Sequence, residues 1–164
     1  MIIINKRNLF FLISVWLLST LLSAQNVTIS TPHTQLLLSV PNGGTPEQLY
    51  YGSRTSDADI RSICETARRR NAYPVYGMGY PCETALSVRH ADGNLTLQMA
   101  VIGVKETRLT KENATLTVIE LKDKVYPFFV NICYKAWQDA DVIETWTEIR
   151  HEEKKPVQLQ QFAS

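Results

Sequence analysis

The sequence predicts an all-β fold, an antiparallel β-sandwich, and three observations carry that expectation. After residue 25 the apolar residues recur with period two in one short segment after another. Clusters of Gly, Pro, Asn and Asp punctuate these segments about every 10–12 residues, the spacing of sandwich turns. No long stretch of period 3.6 follows the first two dozen residues, which excludes a strongly helical domain.

Taken in order, Asn26–Ser30 and Gln35–Val40 read as short strands separated by Pro32. Pro41-Asn42-Gly43-Gly44-Thr45-Pro46 is dense turn chemistry, and it lacks the Lys and Ser/Thr that follow the glycines of a phosphate loop. Gln48–Gly52 reads as a third strand. Ser53–Ala72 is polar and Arg-rich, a long surface excursion in which Asp57–Arg69 has Ile60, Ile63, Cys64 and Ala67 on one side of a helical turn or two. Asp92-Gly93 signals a two-residue hairpin turn. On the way in, Leu86 and Val88 oppose Ser87 and Arg89; on the way out, Leu95, Leu97, Met99 and Val101 share a face.

Asn113–Leu121 carries apolar residues on both faces, Leu116 and Val118 against Ile119 and Leu121, and is expected to be covered on both sides. Lys122-Asp123-Lys124 reads as a charged turn. Tyr126–Trp137 alternates with Phe128, Val130, Ile132 and Tyr134 on one face. Asp139-Ala140-Asp141 closes a hairpin, and Val142–His151 returns with Ile143 and Ile149 opposed to Glu144, Trp146, Glu148 and Arg150. Beyond Glu152–Pro156, the strand Val157–Ser164 is still in progress where the residues run out. The sandwich is therefore expected to be incomplete at its C-terminal end, the front part of a longer protein, because a bare edge strand invites aggregation.

Residues 1–24 have the layout of a secretory signal peptide: Lys6 and Arg7, the apolar run Leu9–Leu22, then Ser23-Ala24. Export to the periplasm or the extracellular space follows as an expectation. An uncleaved anchor is the other reading, disfavoured because a membrane span wants about 20 apolar residues. Lys6 and Arg7 are the only charges in that segment, so without it the net charge moves from +1 to about −1. Such a chain has no electrostatic footprint for nucleic acid, and Arg68-Arg69-Arg70 is an isolated basic run on a loop. Cys64, Cys82 and Cys133 are odd in number, so at least one is unpaired; Cys64 and Cys82 are close enough in sequence to bridge a loop. With no Cys-x-x-Cys and no Cys/His cluster, no metal site is expected.

Candidates for chemistry are sparse. His33, His90 and His151 are scattered, with His90 beside the turn and His151 at a strand end, both expected to be exposed. Glu144, Glu148 and Glu152 read as solvated positions rather than an acid/base pair. The aromatics Tyr50, Tyr51, Tyr73, Tyr76, Tyr80, Trp137 and Trp146 are each more often core or edge cover than sugar platforms. Tyr76 to Tyr80, set among glycines on a loop, is the best candidate outside the core. The sequons at Asn26, Asn94 and Asn113 matter only in a eukaryotic secretory pathway.

Tyr73-Pro74-Val75-Tyr76-Gly77-Met78-Gly79-Tyr80, followed by Ala85-Leu86-Ser87-Val88 and Asp92-Gly93, resembles the N-terminal domain of glycoside hydrolase family 36, the α-galactosidases. Members place a Pro-x-Tyr-Gly-x-Gly segment before a strand pair closed by a Gly-containing turn. The resemblance runs from about Thr28 to the end and departs at Tyr80-Pro81-Cys82-Glu83, where many members have Asp and then Arg after the second Gly. It implies that residues 25–164 form a galactose-mutarotase-like super-sandwich, followed in relatives by a (β/α)8 barrel. It implies retaining hydrolysis of terminal α-galactosides without a cofactor, by two Asp residues about 5–5.5 Å apart on the barrel. One of those lies in a Lys-Trp-Asp-type motif. This sequence has none; the nearest match, Trp137-Gln138-Asp139, falls on a hairpin turn.

The expectation is therefore no catalytic residue in this chain, no assigned substrate-binding residue, and partners limited to carbohydrate through the complete enzyme, the barrel, and a homo-oligomer. In relatives the region comparable to Ser53–Ala72 lies near the sugar site or a subunit contact. Two other readings remain open: a stand-alone secreted carbohydrate-binding or adhesion sandwich, and a secreted closed-barrel binder of small molecules. The irregular Ser53–Ala72 insertion speaks against the latter.

Overall fold

The computed structural model describes residues 25–79 and 83–163. The expected signal segment, Tyr80 of the aromatic loop and the Cys64–Cys82 pairing fall outside or partly outside these residues. Four strands, β1 (Gln25–Ser30), β2 (Thr34–Val40), β3 (Glu47–Ser53) and β4 (Arg70–Asn71), form one antiparallel sheet in that order. A second antiparallel sheet holds β6 (Met99–Leu109), β7 (Ala114–Asp123), β8 (Phe128–Trp137) and β9 (Val142–His151), again in chain order. The strands β5 (Leu86–Arg89) and β10 (Gln158–Phe162) pair with each other.

The excursion between β3 and β4 is more regular than its sequence suggests. Helix α1 spans Asp57–Thr66; Ser56 caps it by accepting from the Asp59 amide, and Asp57 and Asp59 in the first turn suit the positive end of the helix dipole. Ile60, Ile63, Cys64 and Ala67 are half-buried, the face read from the sequence. The Gln35 side chain fastens the entry by accepting from the backbone and hydroxyl of Thr55.

The inward faces of the two large sheets make the core. Val27, Ile29, Leu36, Leu38 and Val40 come from one sheet; Val101, Ile119, Leu121 and the alternate residues Phe128 to Ala136 come from the other. Tyr73, Val75, Leu86, Val88 and Leu97 join the same cluster. Leu116 and Val118 are only half-buried, so β7 is fully covered on one face alone, which corrects the expectation of two covered faces. Leu116 and Val118 lie on the outer face of the second sheet, beside Lys135 and Cys133.

The predicted hairpin is the larger correction. Asp92-Gly93 does turn the chain: the His90 amide donates to Asn94 O at 2.8 Å, and Gly93 takes φ 92°. The flanking strands do not pair with each other. Asp92 Oδ1 accepts from the Asn94 amide and Asn94 Oδ1 from the Thr96 amide, so side chains take the N–H groups that a ladder would use. Strand β5 pairs with β10 on one side and on the other runs parallel to Val75, with the Tyr76 amide donating to Leu86 O at 3.0 Å. Ser87, expected on a wet face, is 8% exposed, because β5 is covered on both sides.

Polar contacts lock the ends of the layers. The Gly43 amide donates to Val101 O and the Val101 amide to Gly44 O, a two-bond clasp between the β2–β3 loop and β6. The Lys122–Lys124 turn is not simply solvated: Asp123 is 2% exposed and its carboxylate accepts from the amides of Gln98, Val125 and Tyr126. Thr31 donates its hydroxyl to Asp141 at the other end, where Asp141 takes φ 53°.

Gly77 and Gly79 both have positive φ, 98° and 75°. A Cβ at Gly77 would lie 2.6 Å from Thr96 Cγ2, whereas at Gly79 it would meet nothing within 4 Å. Gly77→Ala is therefore expected to lower stability by roughly 2–4 kcal/mol and Gly79→Ala by roughly 1 kcal/mol. Urea denaturation of both variants checks the ranking.

Candidate functional site

A cleft of about 450 Å³ opens where the Ala91-Asp92 turn, the start of β8 and the Glu152–Lys155 loop converge. Topology makes it. The chain leaves β5 at His90, reaches β8 through Tyr126-Pro127, and passes from β9 to β10 through Glu152–Lys155. The Glu152 amide donates to Pro127 O at 2.8 Å and draws the last loop against the second segment.

Beneath the cleft lies His90, 2% exposed, so the expectation of an exposed His90 is wrong. Its Nδ1 is 2.7 Å from Glu153 Oε1, and Glu153 Oε2 accepts from the Ala91 amide at 3.0 Å. A carboxylate only accepts, so Nδ1 carries a proton, while Nε2 is buried with no hydrogen-bond partner among the described residues. The partner carboxylate lies 63 residues away, which is why position beside a turn suggested exposure and the fold gives burial. The imidazole stacks on Tyr126, ring centroids 3.7 Å apart and planes within 9°, and meets Phe128 edge-on.

Tyr126 is fixed at its other end as well. Its hydroxyl donates to Asp92 Oδ2 at 2.7 Å and accepts from Asn94 Nδ2 at 3.0 Å. The Tyr126 hydroxyl, followed by the Asn94 amide, holds the Asp92 carboxyl below the usual aspartate range, and Asp92 in turn raises the Tyr126 phenol. The cleft thus brings Asp92, Glu152 and Glu153 together. Each is engaged: Asp92 with Tyr126 and Asn94, Glu153 with His90 and Ala91, Glu152 with Arg150. The arrangement suits holding a ligand better than moving a proton.

The residues singled out in the sequence are dispersed. Trp137 donates its indole N–H to Glu144 and lies under Lys135, whose Nζ is 3.8 Å from the ring centroid. Gln138 donates to Ser30 O and Asp139 accepts from Asn113, so that tripeptide pins a hairpin corner. Glu148 accepts from Asn131 and Trp146. His33 pairs with Asp141 at 3.3 Å, and His151 is exposed on β9. Arg69 reaches Glu47 and Ser39. Tyr73 is 5% exposed and belongs to the core; Tyr76 is 48% exposed while its backbone bonds Leu86 and Leu97. Tyr50 and Tyr51 line a groove of about 490 Å³ between β3 and α1. Among the described residues no three His, Cys, Asp or Glu side chains converge as a metal set.

Sequence reasoning missed the His90–Tyr126–Asp92–Glu153 group. Its members span more than 60 residues, and each looks unremarkable alone. The one available signal was Asp92-Gly93-Asn94 itself, whose two side-chain acceptors predict turns that divert a strand.

A model of the glycosyl hydrolase family 36 N-terminal domain matches residues 44–164. No curated protein sequence matches. Among solved structures, the α-galactosidase from Lactobacillus brevis superposes with TM-score 0.73 at 16% identity, over 86% of this chain and 23% of that one. A family 36 α-galactosidase from Geobacillus stearothermophilus, in complex with 1-deoxygalactonojirimycin, gives 0.74 at 14% identity, over 85% of this chain and 24% of that one. The galactosidase domain of an α-galactosidase–sucrose kinase gives 0.68 at 21% identity, over 84% and 23%. The chain thus spans about a quarter of each of these structures, and at such identities the likeness is one of fold.

Two outcomes follow from the site chemistry. Because the Asp92 carboxyl is depressed in the folded chain, its stabilisation is present above the unfolded value and is lost as pH falls through the folded one. Asp92→Asn is expected to flatten the acid limb of stability below about pH 4, seen in urea midpoints measured across that range. Burial, with Glu148 second, pushes the Cys133 thiol up to about 11. Iodoacetamide at pH 8 is therefore expected to leave Cys133 unlabelled in the native chain and to label it in urea, read by peptide mass spectrometry.

Proposed function

The chain belongs to glycoside hydrolase family 36 through its N-terminal domain, and from that premise we propose that it is the non-catalytic β-sandwich portion of an exported α-galactosidase-like enzyme. In this reading terminal α-galactosides are hydrolysed only when a (β/α)8 barrel supplies the two carboxylates. The sandwich packs on that barrel, shapes the rim of its sugar pocket and supports oligomer contacts. Residues 1–24 direct export and are removed, which leaves a near-neutral chain in the periplasm or outside the cell.

One observation carries the non-catalytic assignment. Retaining hydrolysis requires a nucleophilic carboxylate and an acid/base carboxylate about 5–5.5 Å apart with room between them for the sugar. The carboxylates that share the cleft are held by other groups: Asp92 by Tyr126 and Asn94, Glu153 by His90 and Ala91, and one oxygen of Glu152 by Arg150. A carboxylate held by backbone amides and a buried imidazole is oriented toward those partners and away from the role of a nucleophile. The groove beside Tyr50 and Tyr51 offers arginines and a glutamine instead of carboxylates.

The test is to express residues 25–164 and assay a chromogenic α-galactoside. No turnover above background is expected. Turnover that disappears on a single carboxylate substitution in this chain overturns the assignment.

A further inference from the structure

We propose that the cleft over Tyr126 binds one neutral hexopyranose ring, with Tyr126 as its stacking platform. A surface tyrosine rarely holds one orientation, because an unrestrained side chain keeps its rotamers. This one is clamped at three points: His90 lies flat against one face at 3.7 Å, and Asp92 and Asn94 hold its hydroxyl. The clamp is itself buttressed, since Glu153 fixes His90 from below. With one face covered, the remainder of this half-buried ring is what the cleft presents, beside the apolar edge of Pro127. A pre-oriented aromatic surface costs no ordering entropy on binding, and the apolar C–H face of a pyranose is its natural complement.

The polar rim decides the ligand class. The cleft's three carboxylates, Asp92 and Glu152 at the mouth and Glu153 buried beneath, are matched by Arg150, Lys154 and Lys155, so the site has no net pull on an anion or a cation. Lys154 and Lys155 supply exposed donors and Asp92 an exposed acceptor, which suits hydroxyls that both donate and accept. A volume of about 450 Å³ accommodates a single sugar ring. The proposal deepens the carbohydrate reading of the family, yet it stands on the cleft geometry and is read without hydrolysis.

The experiment titrates the purified chain with methyl α-galactopyranoside, methyl α-glucopyranoside and galacturonate, by calorimetry and ligand-observed NMR. Saturable binding of at least one methyl glycoside is expected. Tyr126→Ala is expected to weaken it about ten-fold or more, the loss of a stacked ring. Ala91→Trp serves as the second variant, because it fills the cleft through a side chain that takes no part in the clamp; it is expected to weaken binding similarly while the thermal melt stays two-state. Phe162→Ala, an exposed aromatic on β10, is expected to leave affinity unchanged. The proposal is overturned by absence of saturable binding to either glycoside, by equal affinity in a folded Tyr126→Ala or Ala91→Trp chain, or by tighter binding of galacturonate than of its neutral counterpart. Loss of binding without hydrolysis having been seen leaves the family assignment untouched, and turnover in the separate assay leaves the cleft untouched, so the two failures are distinguishable.

Discussion

The inward face of β8 is what the molecule closes on. Phe128, Val130, Ile132, Tyr134 and Ala136 project from one side of that strand, and none exceeds 7% exposure. The strand is hydrogen-bonded along its length to β7 on one edge and β9 on the other, so its orientation is set within its own sheet. Burying a large apolar side chain contributes about 1.5–3 kcal/mol, whereas one ordinary hydrogen bond contributes about 1 kcal/mol net. The apolar face therefore provides the bulk of the stability. The polar contacts at the margins select which layer meets it and at what angle.

Those contacts lie at the two ends of the sandwich. At one end Thr31 and His33, in the β1–β2 turn, reach Asp141 in the β8–β9 hairpin. At the other end Asp123 gathers three amides, and His90 with Glu153 joins the start of β6's approach to the loop before β10. The first joins segments that no β ladder connects, and the others tie down the loops at the ends of strands already paired. Removing such a partner strands a buried donor or acceptor, and for that reason a contact of small net worth can be costly to lose.

The sequence was legible where local pattern and global packing agree. The alternation in Tyr126–Trp137 gave the inward residues of β8, and the four apolar positions of the Arg-rich excursion gave the face of α1. It was illegible where a residue's fate depends on a distant segment. Period two assigned Leu86 and Val88 to the buried side correctly, but it carries no information about partners, and the nearest candidate strand was the wrong one. Asp92 and Asn94 took the amides, and β10, some seventy residues on, took the edge. His90 failed for the same reason: a histidine beside a turn is exposed by default, and only Glu153 makes its burial affordable. Tyr76 to Tyr80 reads from the sequence as the best candidate outside the core, and Tyr76 is indeed exposed, but the residues leading into it are scaffold. Tyr73 and Val75 are core, and Gly77 is there because Thr96 leaves no room for a Cβ.

The cleft and the misread hairpin have one origin. Had β5 and β6 formed the expected ribbon, Asp92 would sit at a free hairpin tip and Tyr126 would have no fixed neighbour. Because β5 pairs with β10, the loop leading to β10 must return past the same turn, and Glu153 arrives beneath His90 as a consequence. The stacked imidazole then sets the plane of Tyr126, and the Tyr126 hydroxyl lowers the Asp92 carboxyl below its ordinary range. The pairing of β5 with β10 thus determines the shape of the cleft.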